Sequence, residues 1–383
     1  MKKTLFVTAL FAALSGVAHA ETSVTLYGLI DTGVGFQRIK GNDGYKESKV
    51  GMSNGVSSGS RWGLRGAEDL GDGLSAVFTL ESGFNSANGQ SGQSGRLFGR
   101  QATVGLKGDS WGLLEFGRQT NIASKYIGAI DPFGASYGQA NVGAAFGAAN
   151  TVRHDNMVMY QTPSFSGFQF GLGYSFSADD TKDGRINQST GRPTTSQVGF
   201  RTAENTRAIT AGLRYVNGPL NVALTYDQLN MANQLGTDEK PKQWIIGGSY
   251  DFEVIKLALA YGQTRNGWFT GQSLNAFSSA VNPSGKSFSS NVVAKDFKSN
   301  SYLVGLSAPV GGAGNVLFSW QRADANNTSL TGGDDTMNIY SLGYTYNLSK
   351  RTNLYALGSY ATNFAFIDGL KSTVGMVGVR HRF

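Results

Sequence analysis

The chain has 383 residues, including 53 Gly, 23 Phe, 16 Tyr and 5 Trp, and it has no Cys. Charged residues make up only 15%, and the formal net charge is +7. This composition excludes a disordered chain, a disulfide scaffold and any thiolate metal site or Cys nucleophile. Beyond the first 20 residues no apolar run approaches the ~18 residues that a membrane helix needs. Frequent aromatic and Gly residues with few charges favour a β-sheet protein.

The first segment has the pattern of an export signal. Two lysines precede an apolar stretch over residues 5–17, which ends in Ala18-His19-Ala20, a small-x-small cleavage pattern. We expect residues 1–20 to be removed and residues 21–383 to form one domain. Loss of two lysines leaves 31 Lys and Arg against 26 acids, so the net charge of the exported chain is +5.

Apolar residues alternate with polar or small residues in segment after segment of the remaining chain. Period two is typical of strands with one apolar and one polar face. Sixteen such strands are predicted, and they start near Ser23, Ser60, Gly73, Gly95, Trp111, Val152, Gly167, Arg207, Pro219, Lys242, Val254, Ser301, Gly314, Thr336, Thr352 and Lys371.

The connections between these segments alternate between short and long. The seven short ones include Asn-Gly, Asp-Gly and Gly-Gly pairs, which are typical of hairpin turns. The eight long ones lie around residues 38–59, 86–94, 120–151, 178–206, 230–241, 265–300, 323–335 and 363–370. An even strand number, short periplasmic turns and long outer loops are typical of outer-membrane barrels, whose closed sheet pairs every backbone amide in lipid. The sequence therefore predicts an all-β, 16-stranded antiparallel transmembrane β-barrel, which is wide enough to hold a water-filled channel.

Four motifs resemble those of the Gram-negative general diffusion porins, in particular the beta-proteobacterial outer-membrane family. They are Val24-Thr25-Leu26-Tyr27-Gly28, the run from Ser60 to Gly71, the run from Gly99 to Leu106, and the closing Arg380-His381-Arg382-Phe383. The resemblance implies a homotrimer in the bacterial outer membrane, in contact with outer-membrane lipid and lipopolysaccharide. It also implies that the terminal Phe383 is the signal read by the barrel assembly machinery, and that the third long loop folds into the lumen.

The third long loop has a composition that fits this position. Between residues 127 and 150 the only formal charge is Asp131, whereas the fourth loop, 178–206, holds eight charges. Small residues allow close approach to a barrel wall, so we predict that this loop packs inside the lumen. The alternative is an ordinary outer loop that happens to have few charges. The stretch Asp131-Pro132-Phe133-Gly134 is similar to the tip region of the family's constriction loop.

Five arginines lie in or beside the strands that flank this loop, and all of them except Arg118 are candidates for the pore constriction: Arg61, Arg65, Arg100 and Arg153. Arg61 and Arg65 share the lumen face of one strand by alternation, and a charge on the lipid face would cost about 2–4 kcal/mol near the midplane. Arg153 has the parity of its polar neighbours, and Arg100 needs a bulge or a strand-end position to turn inward. The resemblance implies that arginines at the positions of Arg61, Arg100 and Arg153 gather at the constriction.

Two acids complete the predicted constriction. Glu81 and Asp131 are the candidates for its acidic side, opposite the arginines. For each arginine, a rim position that binds lipopolysaccharide phosphate or a structural ion pair is the alternative. A narrow wet passage with excess positive charge raises the local concentration of anions. We therefore predict passive diffusion of small hydrophilic solutes and ions, with a preference for small anions.

Other classes of function fit the sequence less well. Gly134-Ala135-Ser136-Tyr137-Gly138 matches the G-x-S-x-G nucleophile pattern, but it lies in a Gly/Ala loop rather than at a strand–turn–helix. The exported chain has only two histidines, so we expect no enzyme, no metal site and no cofactor, although acids in the seventh loop leave loose Ca²⁺ binding open. Dispersed basic residues and the export signal argue against nucleic acid as a partner. A substrate-specific channel or a surface adhesin barrel remains an alternative.

Overall fold

Seventeen strands form one antiparallel sheet that closes on itself. The structure, a computed structural model, describes residues 23–42, 44–178, 205–231, 238–269, 291–327 and 336–383. The expected export signal, most of the fourth loop and the seventh-loop acids Asp334 and Asp335 lie outside these residues. The strands are β1 Ser23–Lys40, β2 Lys46–Asn54, β3 Arg61–Gly71, β4 Leu74–Gly83, β5 Gln101–Gly108, β6 Gly112–Thr120, β7 Arg153–Gln161, β8 Phe168–Ser175, β9 Arg207–Asn217, β10 Leu220–Asn230, β11 Lys242–Asp251, β12 Lys256–Trp268, β13 Val292–Val310, β14 Gly314–Ala325, β15 Thr336–Asn347, β16 Thr352–Thr362 and β17 Lys371–Arg382.

These strands occupy sixteen positions around a barrel, because β2 and β3 share one. The first part of β1 pairs with β3, from Ser23 opposite Ala67 to Leu29 opposite Arg61. The outer part of β1 pairs with β2, ending with Lys40 opposite Lys46. The predicted 16-stranded antiparallel barrel is confirmed, with its short turns at one end and its long connections at the other. The long connection predicted over 38–59 was wrong in one respect, since it contains β2.

Two predicted strand starts differ from the structure. β5 begins at Gln101 rather than near Gly95, because residues 93–95 form a single 3₁₀ turn. β13 begins at Val292 rather than near Ser301 and is 19 residues long, so it extends beyond the length that crosses a bilayer. Among the described residues, no helix is long and apolar enough to cross a membrane.

The barrel closes between its first and last strands. Twelve residues of β1 pair with β17, from Leu29 opposite Arg382 to Lys40 opposite Lys371. At the end of this seam the backbone N–H of Gly28 donates to the carbonyl of Phe383 at 3.2 Å, and the N–H of Phe383 donates back at 3.1 Å. Closure removes free sheet edges, whose backbone N–H and C=O groups would have no hydrogen-bond partner in lipid.

The two faces of the sheet differ as alternation predicts. On β1 the outer face presents Val24, Leu26, Val34 and Phe36, all substantially exposed, whereas Asp31 on the inner face is fully buried. An outer apolar band of this kind contacts hydrocarbon in the membrane. The inner face therefore carries the polar chemistry of the protein.

The largest apolar core of the molecule lies inside the barrel. The third long loop, residues 121–152, begins with the helix α1 (Ile122–Tyr126) and continues through short 3₁₀ turns. Its Ile122, Ile127 and Phe146 are fully buried against the inner wall. Burial of each such side chain contributes about 1.5–3 kcal/mol. The predicted placement of this loop in the lumen is confirmed.

Candidate functional site

The third loop is fixed to the inner wall across β9 to β16. Hydrogen bonds join it to five strands: Ile122 N–H to Thr210 Oγ1, the Asn121 side chain to Asp227, Ala148 N–H to Gln243, Ser301 to the Ala145 carbonyl, and Gln321 to the Ala140 carbonyl, at 2.6–2.9 Å. Gln139 extends the series to Ser359 at 3.0 Å. The loop therefore fills one side of the lumen and leaves the wall of β3 to β7 facing it.

Glycine in the wall allows the loop to come this close. Gly171 on β8 and Gly212 on β9 lie beneath Ile122. A Cβ at either position would stand 2.6 Å from a carbon of the Ile122 side chain, well inside van der Waals contact. The surface of the loop and the surface of the wall are therefore complementary in shape.

Asp131 lies inside the loop rather than on its lumen surface. Its side chain is 6% exposed, and its carboxylate accepts backbone N–H bonds from Phe133 at 3.1 Å, Ala135 at 2.9 Å and Val142 at 3.0 Å. Burial raises the pKa of Asp131 to about 6, although these hydrogen bonds oppose the rise. The structure does not bring Asp131 together with the predicted arginines. Its visible role is to hold two turns of the loop together.

The loop tip is held by a second network. The backbone N–H of Tyr137 donates to the Val56 carbonyl at 2.6 Å, and its hydroxyl accepts from Ser57 at 2.8 Å. The Tyr137 ring packs edge-on against Tyr355, with ring centroids 5.7 Å apart. The Tyr355 hydroxyl donates to Asp31 at 2.7 Å. The buried Asp31 therefore links the tip to the barrel seam.

Arg61, Arg100 and Glu81 meet on the wall opposite the loop. Nε of Arg100 donates to Oε1 of Glu81 at 2.6 Å, and Nη1 of Arg61 lies 3.9 Å from the same oxygen. Arg100 immediately precedes the first residue of β5, so its inward direction agrees with the predicted strand-end position. Glu81 therefore stands among the arginines rather than across the lumen from them.

Arg153 extends the group without a carboxylate of its own. Its Nε donates to the Arg100 carbonyl at 3.0 Å and its Nη1 to the Thr151 carbonyl at 3.2 Å. Within the described part of the chain these are its only hydrogen bonds, and the charges of Arg100 and Arg118 act on it at close range. Arg153 is therefore the least compensated cation of the group.

The sequence placed Arg118 beside the loop and Asp155 on the face of Arg153, but it did not predict Arg96 or the ion pairs that these residues form. Nη1 of Arg96 and Nη1 of Arg118 each lie 2.6 Å from Oδ1 of Asp155. By alternation Arg118 has the lipid-facing parity of Ala102, its partner on β5. The pairing of β6 with β7 is irregular between Gly117 and Gln119, where Arg118 alone stands opposite Asp155 and Asn156, so the extra residue of this bulge lies on β7. Gly117 has a φ of 123°, and the side chain of Arg118 turns to Asp155.

Arg65 lies closer to the periplasmic end than the other arginines. Its side chain is exposed, and its guanidinium lies 5.4 Å from the ring centroid of Tyr27. The Tyr27 hydroxyl donates to Oε2 of Glu81 at 3.1 Å. Arg65 thus connects to the Arg61–Glu81 group through an aromatic ring rather than through an ion pair.

Together these side chains form an arginine arc, which we define as Arg61, Arg96, Arg100, Arg118 and Arg153. Two carboxylates, Glu81 and Asp155, lie within the arc, so its formal charge is +3. The loop surface opposite carries no acid, because Asp131 is the only acid between residues 121 and 152 and is buried. The only other charge in that loop is Lys125, whose Nζ donates to Gln119 at 3.1 Å. The resulting passage has a cationic wall facing a loop surface that has no exposed acid.

Among the described residues, no three His, Asp or Glu side chains gather in a way that could hold a metal ion. The hydroxyl of Ser136, in the G-x-S-x-G match, donates to the carbonyl of Gly134 at 3.3 Å. Phe383, the predicted assembly signal, lies at the barrel seam with its ring about half exposed.

Comparisons with known proteins agree on one family. The family model described as Gram-negative porin matches residues 7–364. An outer membrane porin protein of Bordetella pertussis is 62% identical and is covered over 100% of both chains. Outer membrane porin protein 32 of Delftia acidovorans is 35% identical over 98% of this chain and 92% of its own. The solved structure of an anion-selective porin from Comamonas acidovorans has a TM-score of 0.71 at 31% identity and covers 95% of this chain and 100% of its own.

Proposed function

The chain belongs to the family of Gram-negative porins, and from this premise we propose that its arginine arc makes it an anion-preferring diffusion channel. It is an outer-membrane porin whose barrel lets small hydrophilic solutes and ions pass without energy input. Selection acts at the passage between the arc and the third loop. We infer that the channel catalyses no reaction.

One observation carries the anion preference. Five arginines and two carboxylates form one wall, and the loop wall opposite holds no exposed acid. A net positive charge next to a low-dielectric protein frame lowers the energy of an anion in the passage and raises that of a cation. The predicted residues Arg61, Arg100 and Arg153 belong to this proposed constriction. Glu81 belongs to it as the acid that orients two of them.

We assign the other two predicted residues differently. Arg65 attracts anions to the periplasmic entrance of the passage, because it is exposed and its guanidinium lies over the Tyr27 ring rather than within the arc. Asp131 stabilises the fold of the loop, because its carboxylate accepts hydrogen bonds from three backbone N–H groups. Neither assignment changes the sign of the field in the passage.

Ion selectivity tests the proposal. Purified protein in a planar bilayer, with a tenfold KCl gradient, should give a reversal potential of the sign set by chloride. The double variant Arg61→Gln/Arg153→Gln should move that potential towards zero. The matched control Lys350→Gln/Arg351→Gln removes two charges from a periplasmic turn and should leave it unchanged. A cation preference in the unmodified protein would reject the proposal.

The partners follow from the same family membership. We propose that the protein is a homotrimer, that it contacts outer-membrane lipid and lipopolysaccharide, and that Phe383 is read by the barrel assembly machinery. Support comes from the apolar outer band and from the position of Phe383 at the seam. Current steps in multiples of three from single insertions, with no block by added sugars, would support a trimeric general porin over a sugar-specific channel.

A further inference from the structure

A short segment between β2 and β3, residues 55–60, turns into the lumen, and we call it the strap. It has no regular secondary structure, yet Val56, Ser57 and Ser60 are buried within it. Its first half contacts the tip of the third loop, and its second half contacts the arginine arc. The strap is therefore a direct structural link between the two walls of the passage.

The first half of the strap holds the loop tip. The Val56 carbonyl accepts from the backbone N–H of Tyr137 at 2.6 Å, and the Ser57 hydroxyl donates to the Tyr137 hydroxyl at 2.8 Å. Val56 also packs in one buried apolar cluster with Phe133 and Tyr137. The tip cannot leave the strap without exposing this cluster and breaking both hydrogen bonds, and each buried group that loses its partner adds to the cost.

The second half of the strap contacts two members of the arc. The Gly59 carbonyl accepts from Nε of Arg61 at 2.9 Å. A Cβ at Gly59 would stand 3.0 Å from Nη1 of Arg100, so the backbone of the strap lies close against this guanidinium. Ser60 then continues directly into Arg61, the first residue of β3. The positions of both arginines therefore depend on where the strap lies.

Asp31 fixes the strap to the barrel wall. This fully buried residue of β1 accepts from the backbone N–H of Ser58 at 2.7 Å through Oδ2, and its carbonyl accepts from the N–H of Gly55 at 3.0 Å. The Ser60 hydroxyl donates to the same carbonyl at 3.0 Å. Nη1 of Arg380 adds a hydrogen bond to the Ser58 hydroxyl at 2.9 Å. The strap is thus held at its start, its middle and its end.

The length of the strap limits the separation of the two walls. Val56 and Gly59 are three residues apart, so their Cα atoms can be no more than about 11 Å apart even in an extended chain. Val56 holds the loop tip, and Gly59 holds the arc. The root of the loop is fixed already, because it continues into β6 and β7. The strap therefore bounds how far the loop tip can move from the arginines.

We propose that the strap sets the size limit of the channel, with Ser57 as its positioning residue at the loop tip. The inference rests on the proposed diffusion function and adds an element that determines which solutes fit. A hydrated solute passes between the arc and the loop, so the width at that point decides its passage. A strap that holds both walls keeps this width constant.

Liposome swelling measures the size limit with neutral sugars, whose passage does not depend on the charge of the arc. Ser57→Ala removes the hydrogen bond to Tyr137 and should raise the ratio of the sucrose rate to the arabinose rate about twofold. Tyr137→Phe removes the same bond from the other side, and the double variant should have no larger effect than either single variant. Ser48→Ala, at an exposed position on β2, is the matched control and should leave the ratio unchanged.

A longer strap tests the same inference without the loss of a side chain. Two glycines inserted between Ser57 and Ser58 lengthen the strap by up to about 7 Å and should raise the sugar ratio. The control inserts two glycines between Gly311 and Gly312, in a periplasmic turn where a Cβ would meet no atom within 4 Å. All proteins are compared at equal amounts of folded barrel, measured by heat-modifiable gel mobility.

The two sets of variants make the proposal falsifiable separately from the channel function. An unchanged sugar ratio in Ser57→Ala and in the lengthened strap would overturn it, as would an equal rise in the turn insertion. The reversal potential of the unmodified protein tests the anion preference independently. A potential of the sign set by chloride, together with unchanged sugar ratios in the strap variants, would reject the strap and leave the channel proposal in place.

Discussion

Oε1 of Glu81 lies 2.6 Å from Nε of Arg100 and 3.9 Å from Nη1 of Arg61, while Oε2 accepts from the Tyr27 hydroxyl at 3.1 Å. One carboxylate thus organises two cations and an aromatic ring on a single wall. An acid in that place orients arginines, but it also cancels part of their charge. Its removal and the removal of an arginine should therefore act on ion selectivity in opposite directions.

Glu81→Gln should make the channel more selective for anions. The charge of the arc rises by one unit, and the amide oxygen still accepts a hydrogen bond from Arg100. We expect about a twofold increase in the chloride-to-potassium permeability ratio, measured as the reversal potential in a KCl gradient. Glu68→Gln, at an exposed position near the periplasmic end of β3, is the matched control. An unchanged permeability ratio would show that Glu81 does not face the conducting passage.

The stability of the third loop should depend on pH through Asp131. Burial raises the pKa of this carboxyl to about 6, from an ordinary value of 3.8, so the folded loop holds the proton more tightly than the open loop does. The associated stabilisation is fully present below pH 3.8 and is lost as pH rises through 6, a difference of about 3 kcal/mol. Hydrogen exchange of the loop amides, corrected for intrinsic rates, should show more opening at pH 7.5 than at pH 4.5.

The variant Asp131→Asn isolates this effect. Its amide oxygen can take the place of Oδ2, which accepts from Ala135 and Val142, and it has no charge to titrate, so the difference in opening between the two pH values should largely vanish. An unchanged pH dependence in the variant would assign the effect to another group.

Tyr355→Phe should loosen the tip of the third loop. The change deletes the 2.7 Å hydrogen bond to the fully buried Asp31, beside the ring that packs on Tyr137. A buried carboxylate that loses one donor costs about 1–3 kcal/mol. We expect a lower unfolding temperature together with more current fluctuation in the open channel. Tyr360→Phe, on the exposed outer face of the same strand, should change neither. Normal current noise in Tyr355→Phe would remove this network from the control of the loop.

Gly117→Ala should disturb the backbone of β6 beside the bulge that brings Asp155 to Arg118. Gly117 has a φ of 123°, and a Cβ there would overlap the carbonyl oxygen of Ala102. Strain of this kind costs about 1–3 kcal/mol. Urea unfolding followed by heat-modifiable gel mobility should show the loss, and the anion preference of the surviving channels should fall. Gly358→Ala, which meets no atom within 4 Å, is the control. Full stability in Gly117→Ala would show that β6 can relax around the added methyl group.

Alternation was sufficient to predict the barrel because successive residues of each strand face lipid and the wet lumen in turn. Val24, Leu26, Val34 and Phe36 all face outward as their parity requires. The same rule predicted the inward position of Arg61, and the end of a strand explained Arg100. The composition of residues 127–150 predicted a packed loop, because a charge-free Gly/Ala segment has little reason to face water.

Parity could not predict the rest of the site. A bulge sets Asp155 and Asn156 of β7 opposite Arg118 alone and brings Asp155 to Arg118, an outcome fixed by backbone conformation rather than by residue type. Asp131 is the only acid in its loop, but whether it faces water or three backbone N–H groups depends on how the turns close. β2 was missed because its pairing partner is the outer extension of β1, which a local pattern does not reveal.

The seam between Gly28 and Phe383 also has a consequence for biogenesis. The first strand receives its second neighbour only from the last twelve or so residues of the polypeptide, so no shortened product of translation can complete the ring. The sheet therefore cannot close progressively as the ribosome delivers it. Until the last strand arrives, β1 carries an unpaired edge that would template misassembly.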